Sequence, residues 1–254
     1  MKRISIYFLF LFSVIILNSS CKKTSSPPEN NNVNLKKGLL LYFPFSGSIA
    51  DSSGNNNSVQ VSGVNLTNDQ HLNPNSAFDA SQGRLLVTNN GSIKFDSAFS
   101  LSLNFKLNAS GVQCYLSMVN NTNGFGPSFS LGSTVPKYDN FGFAVQDGTG
   151  NCNFFGDPSN SNNDTTQFIP QKGTWYNMVC IYHKGSIQVY KNGKLISTQS
   201  SSGTSALLCP SSKFIIGGWW DTDSEIMNGV IDEVRLYNRI LNADEIAQLY
   251  KNFQ

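Results

Sequence analysis

From Phe99 to Leu107 apolar and polar residues alternate without a break. Phe99, Leu101, Leu103, Phe105 and Leu107 fall on one side, and Ser100, Ser102, Asn104 and Lys106 on the other. A period of two is that of an extended strand, and a strand with one wholly apolar side has to lay it against a second layer. Similar runs, alternating or briefly continuous and bounded by Gly, Asn, Ser and Pro, recur along the chain. They predict strands over residues 39–45, 58–61, 84–88, 99–107, 113–119, 141–146, 175–182, 186–190, 195–199, 214–218 and 229–237. Between two of them stands Asn192-Gly193, a pair that accepts positive φ at both positions and so predicts a tight hairpin. One segment has a helical period: Ile246, Leu249 and Tyr250 share a face. Asn242 is its N-cap, Glu245 closes a capping box, and Leu241 with Ile246 forms a hydrophobic staple. The pattern is that of an all-β, two-sheet antiparallel sandwich with a short C-terminal helix, expected to plug the sandwich edge.

The first residues have a different logic. Met1-Lys2-Arg3 is basic, residues 4–17 are apolar, and Asn18-Ser19-Ser20-Cys21 is a small-residue exit ending in cysteine. This reads as a secretory leader. A run of about 14 residues falls short of the roughly 20 that cross a bilayer as a helix. The placement of Cys21 resembles a bacterial lipoprotein processing site, which implies residues 1–21 as the leader with Cys21 as the lipid-modified residue. Asn18 departs from the aliphatic residue usual three places before that cysteine. Residues 22–37, rich in Pro, Ser, Asn and Lys, have no apolar period and read as a flexible tether ahead of a domain at 38–254. A sandwich of that size commonly forms one domain. The expected location is the bacterial cell envelope, lipid-anchored to the outer membrane. No acidic run follows Cys21, which leaves the surface and periplasmic faces both open.

Charge narrows the partners. The chain has 18 Lys plus Arg and 16 Asp plus Glu, but Lys2 and Arg3 leave with the leader, so the remainder is formally neutral. A neutral domain has no long-range pull on polyanions, which argues against nucleic acid. Cys114, Cys152, Cys180 and Cys209 remain besides Cys21. Outside the cytoplasm an even set favours disulfides over buried thiols, with three possible connectivities. No paired C-x-x-C half-site supports zinc.

The closing stretch, Gly229-Val-Ile-Asp232-Glu233-Val-Arg235-Leu-Tyr237-Asn-Arg239-Ile-Leu241 and the helix after it, resembles the last strand and helix of concanavalin A-like, laminin G-like (pentraxin-like) domains. The Tyr190-x-Asn192-Gly193-x-Leu195 hairpin after Trp175 resembles the same family. So do Leu40 to Phe45 with Asp51-Ser-Ser-Gly-Asn55, Ala77-Phe78-Asp79, the strand from Phe99, and residues 214–218. Together these segments run from residue 39 to residue 252. The resemblance implies a jelly-roll sandwich and a binding role outside the cell, without naming the ligand.

The resemblance also implies a structural calcium between the loop after the first strand and the closing strand. Asp51 and Asp232 would give carboxylates, and Asn56 and Asn57 backbone or amide oxygens, as a hard cation needs six to eight oxygens. Glu233, next in sequence to Asp232, is expected on the opposite face of the strand. The alternative for Asp51 is an Asx-turn with no metal. A second dense segment, Trp219-Trp220-Asp221-Thr-Asp223, suits carbohydrate: ring faces stack on sugars and carboxylates bond hydroxyls. There Trp219 reads as a cap on the core, and Trp220, Asp221 and Asp223 as ligand-binding residues together with Tyr138. The Asn/Gly-rich stretches 120–126 and 151–165 are further recognition loops.

No run of alternate carboxylates of the glycosidase kind is present. His71 and His183 are isolated, and neither a G-x-S-x-G elbow nor a phosphate loop occurs. The expectation is a monomeric, non-catalytic module that binds an extracellular glycan or glycoprotein. A protein-binding adhesion module and a divergent glycoside hydrolase are the alternatives.

Overall fold

The computed structural model describes residues 33–63, 65–95, 97–120, 127–133, 139–146, 161–200, 212–219 and 227–254. The leader, Cys21 and most of the tether lie outside them. The folded unit reaches back to Val33. Arg239 explains why: its guanidinium donates to the carbonyls of Asn34 (3.0 Å) and Lys37 (2.7 Å), and Leu35 packs beside the C-terminal helix. The last residues assigned to the tether are therefore part of the domain.

Among the described residues fifteen strands form two antiparallel sheets. The first sheet holds β13 (Lys194–Ser200), β12 (Ser186–Lys191), β11 (Trp175–His183), β6 (Ala98–Leu107), β15 (Gly229–Tyr237), β4 (Ala77–Asp79) and β3 (Leu66–Thr67), in that order. β1 (Leu39–Phe43) joins it by pairing with the second half of β15. The second sheet runs β10 (Ser161–Thr165), β9 (Phe141–Gln146), β8 (Pro127–Ser133), β7 (Gln113–Asn120), β14 (Ser212–Ile216), β5 (Arg84–Thr88) and β2 (Ser58–Ser62). α1 spans Ala243–Phe253.

The alternation in β6 becomes the layer structure. Phe99, Leu101, Leu103, Phe105 and Leu107 are buried in the main core, where Phe105 meets Tyr115 of β7 (4.7 Å) and Phe99 meets Phe129 of β8 (5.4 Å). Most of its other side does not face water either, Lys106 at the strand end being half-buried. Ser100, Ser102 and Asn104 are buried as well, beneath an outer layer. α1 supplies part of that layer. Leu241, Ile246 and Leu249 cluster with Val179, Ile181 and Tyr237 on the outer face of the first sheet. The helix therefore covers a sheet face instead of plugging an edge. Its capping box forms as the sequence predicts: Glu245 N donates to Asn242 Oδ1 (2.9 Å) and Asn242 N to Glu245 Oε2 (3.0 Å).

The Asn192-Gly193 hairpin also forms, with φ of 50° and 73°. Four strands were not predicted: β3 and β4 are only two and three residues long, and two others are poor in apolar residues. β8 (PSFSLGS) is built from small residues around Phe129 and Leu131, and β10 (SNNDT) has no apolar residue. Residues 161–165, expected within a recognition loop, are instead this edge strand. Cys114 and Cys180 lie on different sheets and are not joined to each other. The Cys114 thiol donates to the carbonyl of Leu116 (3.4 Å), while Cys152 and Cys209 lie outside the described residues.

Candidate functional site

β15 has β6 along one side and changes partner on the other, from β4 at Val230 and Ile231 to β1 at Val234 onward. At the change the register slips between Asp232 and Arg235, and Glu233 adopts φ 54°. A bulge of this kind interrupts alternation. The Glu233 carboxylate turns to the outer face, where it pairs with Arg235 and accepts from Tyr42 Oη (3.1 Å); the Arg235 guanidinium lies 4.2 Å from the Tyr42 ring. The expectation that Glu233 faces away from Asp232 fails for this reason. Burial together with the nearby Glu233 charge pushes the Tyr42 hydroxyl up to about 12, with Arg235 opposing.

Asp232 stands on the same outer face opposite Asn104, only 4% exposed. Burial, then the charges of Glu233 and Asp69, push its carboxyl up to about 8 against the opposing Glu233 N–H and Arg235. Asp51 has another environment. Its Oδ1 accepts from the N–H groups of Tyr42 (3.0 Å) and Ser53 (2.9 Å). Its Oδ2 accepts from Ser53 Oγ (2.8 Å), Asn57 N (3.3 Å) and Asn57 Nδ2 (2.7 Å). Asn57 Oδ1 accepts from Ser92 Oγ (2.5 Å), and Asn56 is exposed at φ 54°. Tyr42 bonds the Asp51 loop through the backbone edge that faces away from β15, so β1 stands between Asp51 and Asp232. Asp51 and Asp232 are thus not brought together: the Asp51 carboxylate accepts five hydrogen bonds from Tyr42, Ser53 and Asn57, and Asp232 lies on the outer face of β15 opposite Asn104. Among the described residues no group of three or more His, Cys, Asp or Glu side chains is placed to hold a metal ion.

Tyr138, Trp220, Asp221 and Asp223 lie outside the described residues. The residues flanking their segments are held at one end of the sandwich. Asp139 Oδ1 accepts from Gly111 N (2.9 Å), Asn108 N donates to the Asn228 carbonyl (2.9 Å), and Asn228 N to Gln113 Oε1 (2.9 Å). Trp219, expected as a core cap, is half-buried and its carbonyl accepts from Ser117 Oγ (2.8 Å).

The same rim carries two aromatic–cation pairs, one on each face of the first sheet, that sequence reading did not single out. Its frame is the loop between β10 and β11. Phe141 N donates to the Phe168 carbonyl (2.9 Å), Asn140 Nδ2 to the Thr166 carbonyl (2.6 Å), Gln171 N to Tyr176 Oη (3.2 Å) and Gly173 N to the Leu107 carbonyl (2.8 Å). The loop is thus tied to both sheets. Phe168 packs edge-on against Tyr176 (4.9 Å) with Lys191 Nζ over its ring at 4.4 Å, and Ile169 beside it is 55% exposed. Trp175 pairs with Lys106 across β11 and β6, the ammonium 5.3 Å from the half-exposed indole. The signal for this pair was Trp175 at a strand start; its partner on β6 is fixed only by register. His183 lies at the far end of β11, and His71 is exposed on another loop.

Two facing antiparallel sheets with a C-terminal helix across one of them define a β-sandwich class. The match of residues 79–247 to the model of the concanavalin A-like lectin/glucanases superfamily, in its laminin G-type division, makes it specific: the chain belongs to this family. Domain 4 of a GH43 extracellular arabinanase from Geobacillus stearothermophilus, in complex with arabinotriose, is similar with a TM-score of 0.63 and 16% identity, over 84% of this chain and 98% of that one. The binding domain of Paraclostridial Mosquitocidal Protein 1 has a TM-score of 0.64 and 19% identity, over 87% of this chain and 53% of that one. The binding domain of Botulinum Neurotoxin DC, in complex with SialylT, has a TM-score of 0.61 and 18% identity, over 87% and 53%. The chain thus spans about half the length of the two toxin domains. At these identities the likeness shows the fold alone. No curated protein matches the chain.

Proposed function

We propose that the domain is a non-catalytic carbohydrate-binding module, held outside the cytoplasm by a lipid on Cys21. The observation that carries this reading is the rim built by Trp175, Phe168 and Ile169. Apolar ring faces held at a solvent boundary by a loop pinned to both sheets are what a sugar ring stacks on, and a pinned loop loses little freedom when it does. The solved structures with arabinotriose and with SialylT support a glycan as the ligand class of this fold. Against catalysis stands the use of the acidic pair on β15: Glu233 is tied to Arg235 and Tyr42, and Asp232 is buried under the outer layer. The basic start, apolar run and cysteine exit support the outer membrane as the location, on either face. A glycan-array screen of residues 22–254, with and without calcium, tests the reading. Binding to a defined set of glycans that Trp175→Ala and Phe168→Ala weaken is expected, and retention of all binding in both variants would refute it.

A further inference from the structure

Among the described residues β13 and β3 end the first sheet, and β10 and β2 end the second. Three of these four edges are blunted. β10 and β13 run close to each other on one side of the sandwich, their sequences include Asp164 and Lys194, and the pairing of β13 with β12 is bulged. β3 is two residues long. Charge, bulges, cover and shortness are the means by which natural sheets keep an edge from pairing with another chain. β2 has none of them. Ser58-Val59-Gln60-Val61-Ser62 carries no charge and no Pro, pairs with β5 in unbroken register, and has no strand on its other edge among the described residues. Val59 packs against the main core, yet Val61 on the same face is 48% exposed.

The strand is also a palindrome, Ser-Val-Gln-Val-Ser in either direction. An antiparallel strand meets its partner in reversed order, so a second copy of β2 turned about a two-fold axis at Gln60 sets serine against serine, valine against valine and Gln60 against its own copy. The faces are kept as well. Val61 of each copy is then covered by Val59 of the other on the core side, and with no charge on β2 the two copies meet without repulsion. We infer that this edge is a contact between two copies of the chain, antiparallel about Gln60, which joins their seven-stranded sheets into one. A two-fold pair thus takes the place of the monomer expected from the sequence. Five residues a side make a small contact, so the pair is weak, with a dissociation constant on the order of 10–100 µM.

The test is sedimentation velocity of residues 22–254, without any glycan, from about 5 to about 500 µM. Gln60→Lys, Gln60→Glu, an equal mixture of the two and, as a control on the far edge, Gln199→Lys are compared after thermal melts confirm folding; Gln60 and Gln199 are both exposed. The unmodified domain and Gln199→Lys should form the dimer with the same midpoint. Each Gln60 variant alone should pair at least about tenfold more weakly, because like charges then face each other across the axis. The mixture should pair again, since opposite charges meet there. A domain that stays monomeric to about 500 µM, a dimer that both Gln60 variants leave intact, an equal loss in Gln199→Lys, or a mixture that fails to pair would overturn the inference. With no sugar present, each of these results leaves the glycan reading untouched.

Discussion

Replacing Asp232 by asparagine should remove a pH dependence built into the centre of the first sheet. The carboxyl sits on the outer face beside Asn104, with Glu233, Asp69 and Arg235 as its charged neighbours, and its folded-state value is raised from 3.8 to about 8. Between those two values the folded protein holds a proton that the unfolded chain releases. Stability is therefore fully present near pH 4 and falls as pH rises, until both states are charged above about pH 8. A proton held by one state and not the other changes stability by about 1.4 kcal/mol per pH unit, and this one group should take away roughly that much at each step across the window. For a domain of this size that is about 3–5 °C in Tm per pH unit. Asparagine keeps the shape and carries no charge at any pH. Thermal melts of both proteins from pH 5 to 9 isolate the effect, because every other titrating group is common to them. The Tm difference should move in favour of Asp232→Asn as pH rises and level off above pH 8. A difference that stays constant from pH 5 to 8 would refute the assignment of a buried, protonated Asp232.

Other consequences follow from single contacts. Burial alone would raise the Glu245 carboxyl, but the bidentate Arg239 (2.6 and 2.7 Å) and the Asn242 N–H hold it below its usual range. Arg239→Ala leaves that carboxylate without its partner and should cost about 2–3 kcal/mol in urea unfolding, whereas a loss under about 0.5 kcal/mol would show the pair to be superficial. Gly193→Ala places a Cβ 3.2 Å from the Tyr250 ring at φ 73° and should destabilise by roughly 1–2 kcal/mol; an unchanged melting midpoint would argue against helix and hairpin touching. Asp51→Ala removes five accepted hydrogen bonds at once and should lower Tm equally in calcium and in chelator. A loss confined to calcium buffer would instead restore Asp51 as a metal ligand.

Features that obey a local rule were legible in the chain alone. The period of two fixed the sides of β6, two residues tolerant of positive φ fixed the hairpin at Asn192-Gly193, and a capping box fixed where α1 begins. These depend on groups a few residues apart. Features that depend on strands far apart in the chain emerged only on folding: β15 is central and changes partner at a bulge, and α1 lies across a sheet face. Asp51 serving its own loop and Trp175 meeting Lys106 belong with them. Pairing register is chosen by which apolar faces can be buried together over the whole sandwich, a sum no single segment contains. Polar β10 and small-residue β8 show the same limit, since their backbones are recruited by a neighbouring strand and not by their own side chains.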